Sequence, residues 1–433
     1  MSSDSPQLNK QPAHKQPVKR RRVFYIPGYD PIHPRRYREL YRSEGRDQAR
    51  ISGYDIALKP KAGKGNYGWQ VDATIDGEDV HADVEVLVWS DIVRGSMATS
   101  IPATYWQMIR TAWEYIGSGA LWRLMRLRKG PVIAALYPVG MLIVQLLVAL
   151  LAFYGAGTVI AEAAILLEEA IYGPVVIWPR WFEETLVLAV AGGCLAFWLV
   201  LRWFKKNDGK FFVYYLMHDY AYSAASKGEN PPELETRMAE FQSTIAQALR
   251  DDVDEVLVVG HSSGAHLGVS ILSDLIRAGA VPKQGPKLAF LSLGQVVPMV
   301  SFLRHAHRLR ADLQFLSAQD ALTWVDVTAP GDGCAFALCD PVSVSGVAPD
   351  SKIWPLVFSA RFTQSLSPQR WKALRWKFFR LHFQYLCAFD RPKDYDYFQI
   401  TAGPVSLSER YKDRPPSKSR IDHAVSKFTS VTP

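Results

Sequence analysis

The chain has 433 residues, 48% of them hydrophobic and 12% aromatic, with a formal charge of +8. That apolar content suits a packed core and excludes an intrinsically disordered chain. The basic excess forms no stripe with interleaved aromatics, which points away from nucleic acid. Four cysteines without metal-ligand spacing, one of them inside an apolar run, point to a reducing compartment and to no metal site.

Residues 1–21 lack the apolar centre of a secretory signal and read as a disordered basic tail. A short strand, Arg22–Ile26, ends at Pro27-Gly28-Tyr29-Asp30-Pro31 and leads into a polar helix around Pro34–Ala49. Tyr54–Leu58, Trp69–Ile75 and Val84–Ser90 alternate or run apolar like strands, with Asp76-Gly77 a turn signal between the second and third. A helix over Ala103–Arg126 then approaches a long apolar run.

From Pro131 to Ala161 no residue is charged, and at 1.5 Å per residue the run exceeds a hydrocarbon core of about 30 Å. Thr185–Leu201 is a second uncharged run, extendable by Trp203 and Phe204. A soluble helix carries a polar face and the first run has almost none, and both runs are expected to span a bilayer. Arg123, Arg126, Arg128 and Lys129 precede the first run, and Arg202, Lys205 and Lys206 follow the second. The connection carries Glu162, Glu168, Glu169, Glu183 and Glu184 against Arg180 alone. Basic flanks stay inside, so both termini and the remaining domain are expected in the cytoplasm, at the inner membrane if the cell is bacterial. Trp178, Trp181 and Phe182 would suit the outer interface and Trp122 the inner one.

Helices over Phe211–Ala225 and Pro232–Leu249 follow, the latter delivering the apolar strand Val256–Val259. This strand runs straight into Gly260-His261-Ser262-Ser263-Gly264 and a helix reaching about Ala278. A serine at the apex of a tight strand-to-helix turn projects clear of the sheet, where a base can activate it. Such a turn brings strand and helix so close that only small residues fit at 260 and 264. The helix N-terminus beyond it offers free N–H groups to a developing oxyanion. Lys287–Leu293 and Leu322–Thr328 are further apolar runs. Strands separated by helices argue for an α/β fold, a mainly parallel sheet with helices on both faces, interrupted by the transmembrane hairpin. The pieces are then 22–128 and 207–402 for the sheet domain, 129–206 for the hairpin and 403–433 for a loose polar tail.

The strand–G-H-S-S-G–helix context resembles the α/β-hydrolase superfamily, esterase- and lipase-like serine hydrolases. The resemblance implies a triad in the chain order nucleophile, acid, histidine, with no cofactor. Ser262 is then the nucleophile. Asp332, in the Gly/Pro loop after Leu322–Thr328, is the acid, with Asp340 and Asp326 as alternatives. His382 in its aromatic surroundings is the base, with His423 its main rival. His305 and His307 precede the acid in a cationic stretch, and His261 stands beside the nucleophile. The oxyanion hole would use the N–H of Ser263 and that of Tyr29 in the Pro27-Gly28-Tyr29 loop. The hairpin falls before the nucleophile strand, unlike the superfamily's usual lid, which follows it. No Walker loop, zinc pattern or dinucleotide fingerprint competes for the chemistry. The expected function is a membrane-anchored hydrolase of carboxylic esters, lipid acyl esters included. A non-catalytic binding protein on the same fold, or an acyltransferase, are the alternatives.

Overall fold

The computed structural model describes residues 17–61, 65–97, 100–173 and 182–433, so Trp178, Arg180 and Trp181 lie outside the described residues. Eight strands form one sheet: β1 (Arg20–Ile26), β2 (Asp55–Pro60), β3 (Gly68–Ile75), β4 (Glu78–Val86), β5 (Glu255–His261), β6 (Lys287–Leu293), β7 (Thr323–Thr328) and β8 (Leu356–Ser359). Their order is β2-β3-β4-β1-β5-β6-β7-β8. The β2–β3 and β3–β4 pairs are antiparallel, and every other pair is parallel.

Central strands of a parallel sheet are covered on both faces and therefore read as unbroken apolar runs. β5 is buried at every position. Along it, Leu257 and Val259 face one core with Tyr37, Tyr41 and Phe398. Val256 and Val258 face the other, against Met238, Ile245 and Ile271. The Asp76-Gly77 turn takes positive φ at both residues, 55° and 80°, as a tight hairpin between twisted strands requires. The strand expected at Val84–Ser90 lies earlier, at Glu78–Val86, because its pairing partner β3 extends back to that turn.

The helix expected over Ala103–Arg126 breaks at Gly119 (φ 75°) into Ile101–Gly117 and Ala120–Leu127. Beyond it run two helices long and apolar enough to cross a membrane, Lys129–Tyr172 and Phe182–Lys206. The first has 44 residues, about 66 Å at 1.5 Å per residue. They pair antiparallel through small residues, Gly193 against Phe153 and Gly157 against the Ala189 carbonyl. The lower part of the first helix joins the sheet domain. Tyr105 Oη donates to the Leu142 carbonyl at 2.9 Å, and Gly130 lies so close to Gly333 that a side-chain carbon there would come within 3.3 Å.

The C-terminal segment is not loose. The Pro404 carbonyl accepts from Val18 N–H at 2.8 Å, Ile421 bridges Cys339, and Arg310 Nε donates to the Ser430 carbonyl at 2.6 Å. Arg21 is the tie between this segment and the sheet. Its guanidinium meets Glu255 at 2.6 Å with both side chains buried, and also donates to the Gly403 and Val405 carbonyls. Arg21→Met strands the Glu255 carboxylate without its cation, and is expected to cost about 3–5 kcal/mol in denaturant unfolding of the detergent-solubilised chain. Stability within a few tenths of wild type would contradict this role for the pair.

Candidate active site

The register of the central strands assembles the site. Ile26, the last residue of β1, pairs with Gly260 of β5, so the loops leaving both strands emerge side by side. After β5 the chain reverses at Ser262, a non-glycine residue held at φ 57°. That conformation costs of order 1–3 kcal/mol and persists only where the surroundings enforce it. Ser262 N–H donates to the Leu293 carbonyl of β6 at 2.9 Å, and the helix Gly264–Arg277 starts two residues later. A side-chain carbon at Gly264 would fall 2.1 Å from the Ile26 carbonyl oxygen, and one at Gly260 2.7 Å from that of Gly264. Both elbow glycines are therefore steric requirements. From Glu255 to Ser273 every residue is buried except Ser262, which is partly exposed.

His382 and Asp332 meet at the same end of the sheet. His382 Nδ1–H donates to Asp332 Oδ2 at 2.8 Å, with both side chains buried. The carboxylate accepts two further bonds, from Tyr385 Oη at 3.0 Å and from Cys334 N–H at 2.9 Å. Tyr385 in turn accepts from Ala329 N–H, and burial followed by the nearby Asp332 raises its pKa well above normal, so it remains a donor. The imidazole lies over Gly294 (φ 53°), where a side-chain carbon would come 3.2 Å from His382 Cε1. Ser262 Oγ and the imidazole share no hydrogen bond in this structure. Nucleophile–base bonds are often long in a free site and tighten when a ligand excludes water.

Gly28 faces the serine directly. A side-chain carbon there would lie 2.9 Å from Ser262 Cβ and 3.3 Å from its Oγ. The Pro27–Tyr29 loop is fixed from three sides. Trp89 Nε1 donates to the Pro27 carbonyl at 3.0 Å, Tyr215 Oη donates to the Tyr29 carbonyl, and Tyr29 Oη meets Ser96 Oγ at 2.8 Å. The backbone N–H groups of Tyr29 and Ser263 find no acceptor among the described residues. These are the two donors that the resemblance assigns to an oxyanion hole.

The competing residues are occupied elsewhere. Asp340 caps the helix Pro341–Val344 and pairs with Lys352 at 2.7 Å. Asp326 is buried within β7, bound to Ser292 Oγ at 2.6 Å, and burial pushes its carboxyl up to about 8. His423 is exposed, His305 approaches Glu229, and His307 accepts from Arg310. His261 donates from Nε2 to the His382 carbonyl at 3.0 Å, and burial, then the neighbouring His382, drive its pKa down to about 3. It is a neutral strut behind the His382 backbone.

Sequence reasoning missed Asp219. It lies on the helix Val213–Ala225, the same helix that sends Tyr215 to the Tyr29 carbonyl. Its carboxylate has no hydrogen-bond partner among the described residues. Burial pushes its pKa up to about 7, with the charge of His382 opposing the rise. No motif surrounds it, and only the tertiary fold brings it near the imidazole. Asp332, Cys334 and His382 also hold ligand atoms within 4.8 Å of one another. Within the trio, His382 Nδ1 and Asp332 Oδ2 are already bonded to each other at 2.8 Å, and Asp332 Oδ1 accepts from Cys334 N–H. The trio fits an oriented imidazole better than a metal centre.

No family model, curated protein or solved structure matches this chain. The elbow makes its own prediction. Gly264→Ala drives a methyl group into the β1 carbonyls and is expected to destabilise the chain by about 3 kcal/mol or more. Gly53→Ala is the control, since nothing lies within 4 Å of a carbon built at that exposed helix terminus. Its cost should be confined to the backbone strain at φ 74°, about 1–2 kcal/mol. Equal losses in the two variants would show that strand and helix do not approach as closely as described.

Proposed function

We propose that the protein is a membrane-anchored serine hydrolase of the α/β-hydrolase type that cleaves carboxylic esters. The observation that carries this reading is the strained, singly accessible Ser262 beside a histidine held at Nδ1 by a buried aspartate. A structural turn has no need of a partly exposed serine at positive φ, nor of a three-donor cradle around Asp332.

In the proposed reaction Ser262 Oγ attacks the ester carbonyl as its proton passes to His382 Nε2. Asp332 fixes the tautomer that leaves Nε2 free and stabilises the imidazolium. The charge on the carbonyl oxygen is met by the N–H groups of Ser263 and Tyr29, aimed in advance by the loop contacts. The imidazolium protonates the departing alcohol, and water activated by the same histidine then releases the acid.

The hairpin supports a lipid substrate. Both long helices carry basic residues at or just before the end that meets the sheet domain, and two arginines preceding the first one bind the domain directly. Arg128 Nε donates to the Ala337 carbonyl at 2.7 Å and Arg123 to the Val425 carbonyl at 3.0 Å. Basic flanks favour the cytoplasmic side, which sets the site on the inner leaflet. Esters confined to that leaflet are concentrated at the site, whereas soluble esters gain nothing from the anchor.

Ser262→Ala is expected to lower kcat/KM for p-nitrophenyl esters by about 10⁴-fold or more. The wild-type chain should prefer medium and long acyl chains and release fatty acid from phospholipid or acylglycerol vesicles. Undiminished hydrolysis by the variant would end the hydrolase reading, and acetyl preference without lipid turnover would end the lipid one. Asp219 gives a pH signature. Its carboxylate ionises as pH rises through about 7, adding a negative charge that favours the imidazolium of the transition state. The wild-type rate should carry an added rise across that pH, which Asp219→Asn removes. Superimposable pH–rate profiles would show that His382 does not feel this charge.

A further inference from the structure

His382 is carried on an exposed segment whose outward face differs in character from the rest of the domain. Residues 368–380 read P-Q-R-W-K-A-L-R-W-K-F-F-R, without one acidic residue. The inward side chains seat it. Trp371 covers Gly331 of the acid loop, Leu374 is buried, and Leu381 joins the core that holds Tyr385. Outward stand Lys372, Arg375, Lys377 and Arg380, all exposed and without an acidic partner among the described residues. Interleaved with them are Trp376, Phe378 and Phe379, with 72%, 47% and 39% of their surfaces exposed. Arg375 lies over the Trp376 ring at 5.6 Å, yet much of the surface of all three aromatics stays in water among cations that no carboxylate neutralises.

Continuity with the hairpin identifies the partner. Phe379 packs on Phe212 at 5.7 Å between ring centroids, and Phe212 lies six residues beyond the end of the helix Phe182–Lys206. Phe378 covers Gly333, which also touches Gly130 in the first turn of the other long helix. The segment is therefore at the foot of both helices, level with their basic ends. Lys and Arg with Trp and Phe on one surface is the composition of elements that lie at the headgroup boundary of anionic membranes.

We propose that residues 372–380 dock on the anionic phospholipid surface around the hairpin, Trp376, Phe378 and Phe379 entering the headgroup layer and the four cations pairing with lipid phosphates. The docked segment adjoins both His382 and the acid loop, so it holds the mouth of the site against the leaflet. This surface rests on the reading of the two helices as bilayer spans.

The test uses the full chain with Cys194→Ala, which removes the one exposed native thiol. Trp376→Cys then carries an NBD fluorophore, in vesicles of phosphatidylcholine alone or with phosphatidylglycerol, each containing a lipid with a shallow doxyl quencher. NBD emission should shift to the blue and be quenched in the phosphatidylglycerol vesicles, and both effects should weaken with salt. Replacing Lys372, Arg375, Lys377 and Arg380 by glutamine should restore the aqueous spectrum, each charge being worth roughly fivefold in partition. A water-like probe in both vesicles overturns the proposal, and equal quenching in both overturns its anionic recognition. A second probe at Leu151→Cys, with a deep quencher, reports on the spans. Quenching there with none at position 376 leaves the anchor standing and removes the docked segment. Absence of quenching at both removes the two together. The readout needs no turnover, so it is independent of the hydrolase chemistry.

Discussion

Everything at the site depends on the parallel pairing of β1 with β5. These strands are separated by more than two hundred residues, yet their register sets Ile26 against Gly260 and brings two loops within a methyl group of each other. The close approach forces glycine at 28 and 264, and the turn of the elbow on itself forces glycine at 260. The approach is held from below by Arg21 and Glu255, one from each strand, whose buried ion pair also captures the C-terminal segment. Breaking that pair would loosen the same two strands that align serine and oxyanion loop.

The hairpin is inserted between those two strands in sequence, and its foot is built into the site. The helix Val213–Ala225, which follows the second long helix, supplies Tyr215 to the oxyanion loop and Asp219 to the neighbourhood of His382. The first long helix begins against Gly333, one residue after Asp332. The long helices and the candidate site thus adjoin through direct contacts at Gly333 and through the helix that carries Tyr215.

Much of this was legible because it is local. A serine elbow is written in five consecutive residues, and an uncharged run announces its own length, whereas Asp332 was reached through the superfamily's chain order, with Asp340 and Asp326 as rivals. His382 emerged from chain order and its aromatic neighbours. The rest is tertiary. Asp219 sits in an unremarkable helical sequence and gains meaning only from where its helix lies. β8 has four residues, too few for a period, and is recruited by its pairing with β7. The C-terminal segment looks loose by composition because its order comes from backbone bonds to distant carbonyls and amides, which leave no trace in side-chain patterning. The break at Gly119 was readable in principle, since a glycine inside a helical pattern often marks a terminus.

The central claim is that Ser262 is an activated nucleophile, and covalent trapping tests it most directly. The solubilised chain would be treated with a fluorophosphonate, digested, and the adduct located by tandem mass spectrometry. The account predicts one stoichiometric phosphonyl group on Ser262, lost in His382→Ala even though the serine remains. An unmodified Ser262 in folded protein, or labelling unaffected by the loss of His382, would contradict it.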